Sequence, residues 1–142
     1  MIKDATRTPV VLLVEDSSDD AYFFKRALKR TGLECSCVHV WDGRSAIEFL
    51  EQAFRGPDLP QVVFLDLKLP VLNGFEVLEW LRQQSVPKKP KVVVLSGSDQ
   101  DSDKAQAAEL GASGYLVKPI ASRSIADLLQ SAGPAKACCA QP

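Results

Sequence analysis

An excess of charge of either sign is missing from this chain. Seventeen basic residues stand against 18 acidic ones, so no net pull toward nucleic acid or anionic lipid exists, and partners must be chosen by local patches. Long apolar runs are missing too: none approaches the ~20 residues that cross a bilayer. The first nine positions carry Lys3, Asp4 and Arg7 and no apolar core of a signal peptide. The expectation is a soluble, cytoplasmic protein with no membrane and no direct nucleic-acid contact. The cysteines lack a pattern. Cys35 and Cys37 fall in one apparent strand and Cys138 adjoins Cys139, which fits neither a zinc framework nor a secreted disulfide scaffold, so reduced thiols are expected. Lipidation of that adjacent pair would need a basic cluster or apolar anchor beside it, and there is none. Internal repeats are absent, and 142 residues leave no room for a second folded module.

What is present is a set of short, branched apolar runs. Residues 10–15 (VVLLVE), 61–66 (QVVFLD) and 91–96 (KVVVLS) read as strands buried on both faces. Residues 113–118 (SGYLVK) read as a weaker strand and residues 35–40 as an edge strand. Between them, helical periodicity covers residues 19–30, 43–54, 74–84, 101–110 and 122–130, with Gly32 and Gly111 as terminators of the first and fourth. Five alternating units predict an α/β fold, a (βα)5 chain with a parallel sheet and helices on both faces, because parallel crossovers use helices. The predicted organisation is an extension over residues 1–8, one domain over 9–131 and an unpatterned tail over 132–142 (AGPAKACCAQP).

Open α/β sheets bind ligands beyond the carboxyl ends of their strands. Here those ends are polar: Glu15 and Asp16 after the first run, then Asp66, Ser96 and Lys118. Three carboxylates at one edge repel, so one must hold a proton or a cation must join them. A hard divalent ion fits, and magnesium suits a site with few protein carboxylates and a phosphate oxygen. Taken alone, Asp16, Ser17 or Ser18 would be read as capping the next helix, and Lys118 could be a solvated lysine. Asp66 resists such a reading, since Pro70 and the Asn73-Gly74 pair separate it from the following helix. Together the residues form a phosphoryl-transfer set. Asp66 would be the nucleophile, Asp16 and Asp66 would hold the ion with Glu15 acting through water, and Lys118 and Ser96 would contact phosphoryl oxygens.

With those residues in view, the sequence resembles the receiver domains of two-component response regulators. VLLVEDSSDD, VVFLDLKLPVLNG, VVVLSGS and GYLVKP match the family's motifs in order, over roughly residues 9–131. The resemblance implies a five-stranded sheet of flavodoxin-like strand order 2-1-3-4-5. It also implies Glu15 and Asp16 as the acidic pair, Asp66 as phosphoacceptor, Ser96 as switch hydroxyl and Lys118 as the phosphate-binding lysine. Lys68 would lend its backbone carbonyl to Mg2+, the bond before Pro119 would be cis, and Tyr115 would be the aromatic switch. The implied donor is a histidine kinase or a histidine phosphotransfer protein. The implied output is a downstream protein bound on the face of the fourth helix, fifth strand and fifth helix.

An aspartyl-nucleophile phosphatase would need a second acid two residues past Asp66, where Lys68 stands. A flavodoxin-like cofactor binder would need a phosphate-cradling loop after the first strand, and Glu15-Asp16 would repel that phosphate. A receiver-like module that binds without phosphorylation is the remaining alternative. The reading is a signalling phosphoacceptor that assists its own phosphorylation and dephosphorylation rather than an enzyme. With no output domain in view, it would act through a separate protein, a homodimer or as a phosphate sink. Ile120, Ile125, Leu128 and Leu129 could line a dimer face, although packing on the sheet explains most of them.

Overall fold

A computed structural model describes residues 8–132. The strands are β1 (Val10–Val14), β2 (Ser36–Val40), β3 (Val62–Asp66), β4 (Lys91–Ser96) and β5 (Gly114–Val117), and they alternate with α1 (Ser18–Arg30), α2 (Gly43–Phe54), α3 (Gly74–Arg82), α4 (Asp101–Glu109) and α5 (Ser122–Ala132). All pairings are parallel, in the order β2-β1-β3-β4-β5. Every predicted element is present, with ends shifted by up to two residues.

Alternate side chains of the central strands go to opposite faces, as the pleat requires. Val11 and Leu13 of β1, Phe64 of β3 and Val93 and Leu95 of β4 meet Phe24 and Leu28 of α1 and Ile125 and Leu129 of α5. Leu12, Val14, Leu65 and Val94 face the other way, onto Leu50 of α2 and Val77, Leu78 and Leu81 of α3. The sheet is thus covered on both sides, and β3 is buried at every position. The Phe24 and Phe64 rings, 4.8 Å apart, tie α1 to the middle of the sheet.

Side-chain caps fix where the helices begin. Ser17 accepts from the Asp20 N–H (3.2 Å) and Asp42 from the Ser45 N–H (2.7 Å). Asn73 and Glu76 form a reciprocal capping box at 3.0 and 2.8 Å. At the end of α4, Gly111 takes a φ of 103°. The N–H groups of Gly111 and Ala112 then return to the carbonyls of Ala108 (3.0 Å) and Ala107 (2.9 Å), which satisfies two of the acceptors in the last turn of the helix. Between β3 and α3 the chain makes a tight three-residue turn, Leu72 N–H to Pro70 C=O at 2.7 Å, with the exposed Val71 at a φ of 69°. Of the four apolar residues near α5, Ile125 and Leu129 are buried against the sheet, while Ile120 and Leu128 are half-buried beside them. Cys35 and Cys37 are thiols packed at the β2 edge, and burial pushes the Cys37 thiol up to about 11. Cys138 and Cys139 lie outside the described residues.

Candidate functional site

Glu15 (1% exposed), Asp66 (6%) and Ser96 (2%) are the buried polar or charged side chains among the described residues. All three stand at the carboxyl edge of the sheet, where β1, β3 and β4 end. Parallel pairing brings these ends side by side, because β3 lies between β1 and β4. One carboxylate oxygen each from Glu15, Asp16 and Asp66 lies within 4.8 Å of the others, with Asp16 exposed and its two neighbours buried. The Glu15 chain is held from two sides: its N–H donates to Val40 C=O (3.1 Å) and its carbonyl is 2.9 Å from Nε2 of His39.

Lys118 follows β5, and its peptide bond to Pro119 is cis. Its N–H donates to the Ser96 carbonyl (2.8 Å), which anchors the residue beside β4. Its ammonium donates to Oε1 of Glu15 (2.9 Å) and to Oδ2 of Asp20 (2.8 Å), and lies 3.5 Å from Oδ2 of Asp66. Burial lowers the lysine's proton affinity, but the bonds to Asp20 and Glu15 and the field of Asp66 outweigh it, so the group stays above the ordinary lysine range. Glu15 shows the opposite balance. Burial pushes its carboxyl up to about 7, against the pull of the Lys118 bond and with help from the neighbouring Asp66. One ammonium is too little for this much carboxylate, and the oxygen-only donor set of Glu15, Asp16 and Asp66 fits a hard divalent cation.

Ser96 accepts from the Ser98 N–H through Oγ (3.0 Å), and the Ser98 carbonyl accepts from the Tyr115 hydroxyl (3.0 Å). Tyr115 is therefore bonded to the same β4–α4 loop whose Ser98 N–H is held by Ser96. The Lys104 ammonium lies 5.9 Å from the Tyr115 ring centroid and 2.6 Å from Oδ1 of Asp99. Lys68 is exposed, and its N–H is a long 3.4 Å from Oδ1 of Asp66. Sequence reasoning missed two residues at this edge, Asp20 and His39. Asp20 looks like an ordinary first-turn acid beside a capping serine; only the fold brings it to Lys118, 98 positions later. His39 carried no motif signal, and burial lowers its proton affinity.

The model of the response regulator receiver domain matches residues 11–130. Response regulator Rcp1 of Synechocystis sp. is 34% identical over 132 residues, 91% of this chain and 88% of that protein. Its structure in a Mn(2+)-bound form superimposes with a TM-score of 0.69 at 32% identity, covering 87% of this chain and 90% of that one. The bacteriophytochrome response regulator RtBRR gives a TM-score of 0.78 at 33% identity over 90% of this chain and 80% of its own. The phosphorylated cyanobacterial phytochrome response regulator RcpA gives 0.72 at 28% identity, over 88% and 91%. No helix among the described residues is long and apolar enough to cross a membrane.

Proposed function

Because this chain belongs to the response regulator receiver domain family, we propose that it takes a phosphoryl group onto Asp66 and thereby switches its binding to another protein. The observation that carries this reading is the buried Asp66 carboxylate at the strand edge, within 4.8 Å of the Glu15 and Asp16 oxygens and with the Lys118 ammonium 3.5 Å away. A carboxylate oxygen of Asp66 attacks phosphorus. The bond from phosphorus to the donor nitrogen or oxygen breaks, and its electron pair leaves with the donor. A histidine kinase or a histidine phosphotransfer protein is the proposed donor.

Glu15, Asp16 and Asp66, with the Lys68 backbone carbonyl, would hold Mg2+, which when bound neutralises phosphoryl charge. The relatives support that assignment: Rcp1 is known in a Mn(2+)-bound form and RcpA in a phosphorylated one. Lys118 swings its ammonium from the carboxylates to a phosphoryl oxygen, and the Ser96 hydroxyl turns to another. That turn removes the acceptor of the Ser98 N–H and disturbs the loop on which Tyr115 is latched. The signal then reaches the face of α4, β5 and α5, where a downstream protein in the cytoplasm docks. Residues 9–131 would form the working domain.

The test is intact mass after incubation with acetyl phosphate and Mg2+, beside Asp66→Asn and a magnesium-free control. A single phosphoryl gain confined to the wild type with Mg2+ is expected. An equal gain in Asp66→Asn, or no transfer from any phosphohistidine donor, would overturn the assignment.

A further inference from the structure

The Lys118 ammonium has three N–H groups to give. Its two short bonds go to Asp20 (2.8 Å) and Glu15 (2.9 Å), and Asp66 is left with a 3.5 Å approach. Of the two competitors, Glu15 belongs to the trio of converging oxygens and Asp20 does not. A cation held by Glu15, Asp16 and Asp66 would draw on Glu15 and leave the hold of Asp20 on the lysine intact. The Asp20 backbone is fixed by its bond to the Ser17 cap (3.2 Å), so the carboxylate is presented from a rigid first turn.

We propose that Asp20 is a positioning residue that holds Lys118 back from Asp66 in the unphosphorylated protein, so that phosphoryl uptake must break the Asp20–Lys118 bond. This rests on the phosphoacceptor reading of Asp66 and adds a brake to it. Asp20 stands 43% exposed at its side chain, so water screens the bond and lets it exchange. A bland role for an acid at this point is to complement the positive end of the α1 dipole. Asp19, exposed on the same turn, serves that role and is not among the partners of Lys118. It provides a control with an identical change of charge.

The experiment compares wild type, Asp20→Asn, Asp20→Glu and Asp19→Asn for the rate of phosphorylation by acetyl phosphate with Mg2+ and for the dissociation constant of beryllofluoride. Asp20→Asn is expected to gain about fivefold in both, the range of a screened ion pair, with Asp19→Asn close to wild type. Asp20→Glu can still reach the ammonium and should return toward wild type. The Lys118 Nζ resonance adds a readout that a merely structural role would not move. Asp20→Asn should shift it in the free protein and leave it unshifted in the beryllofluoride adduct. Equal behaviour of Asp20→Asn and Asp19→Asn, or a slower Asp20→Asn, overturns the brake while the phosphoacceptor reading stands. A wild type that takes neither phosphoryl nor beryllofluoride overturns both.

Discussion

Glu15 is the residue on which the edge is most poorly balanced, and its protonation has a sign that can be worked out. Burial raises its folded pKa to about 7 from the ordinary 4.5, so below about pH 7 the cation-free fold favours the protonated form. The associated stability is fully present below about pH 4.5 and is lost as pH rises through 7. Roughly 3 kcal/mol is at stake for a shift of this size. Thermal melts of the cation-free protein should therefore fall in midpoint between pH 5 and pH 8. Glu15→Gln should flatten that slope, and Mg2+ should restore the wild-type midpoint at pH 8 far more than at pH 5, because it competes with the proton. A wild-type profile with no slope across this window would mean that Glu15 carries no proton there.

At the scale of elements, the start of α3 is set by how closely it approaches the site. A Cβ added at Gly74 would come 2.5 Å from the Asp66 carbonyl oxygen and 2.8 Å from the Leu67 Cα, both backbone atoms that cannot turn aside. Alanine in a helix ordinarily stabilises by ~1 kcal/mol over glycine. Here the clash reverses the sign, and Gly74→Ala should cost about 1 to 3 kcal/mol in urea unfolding and slow phosphorylation of Asp66 as well. The opposite case is α4. Its N-cap, Gln100, makes no side-chain cap bond, and Ala107 is its one fully buried residue. Gln100→Ser should add about 1 kcal/mol by supplying the missing acceptor, read in the same unfolding assay. Apolar runs and glycine stops made the five strands and five helices legible, because burial on two faces leaves a compositional trace. Strand order, and the place of Asp66, Ser96 and Lys118 at the strand ends, came through the ordered motifs. Asp20 stayed hidden since a contact across 98 positions has no local signature. Val71 was hidden too, because a β-branched residue is the type least expected at a positive φ.

For the molecule as a whole, the proposed function requires a path from the buried edge to the α4–β5–α5 face. A continuous physical link exists: Ser96 Oγ to the Ser98 N–H at 3.0 Å, and the Ser98 carbonyl to the Tyr115 hydroxyl at 3.0 Å. It joins β4 to β5 through the loop that leads into α4, a helix with a single buried residue, Ala107, and weakly buried elements are where a two-state response costs least. Coupling of this kind is reciprocal, so a partner that prefers the phosphorylated face must tighten beryllofluoride binding by the same factor. Beryllofluoride with Mg2+ should therefore shift the amide resonances of Ser98, Lys104 and Tyr115 in the wild type. Ser96→Ala removes the acceptor of the Ser98 N–H but leaves Asp66 and the acidic pair in place. It should still bind the mimic, at several-fold lower affinity, while the Tyr115 shift shrinks toward zero. If Tyr115 responds fully in Ser96→Ala, the serine hydroxyl is not the link, and the signal must run through the Lys118 backbone, which is joined to the Ser96 carbonyl at 2.8 Å.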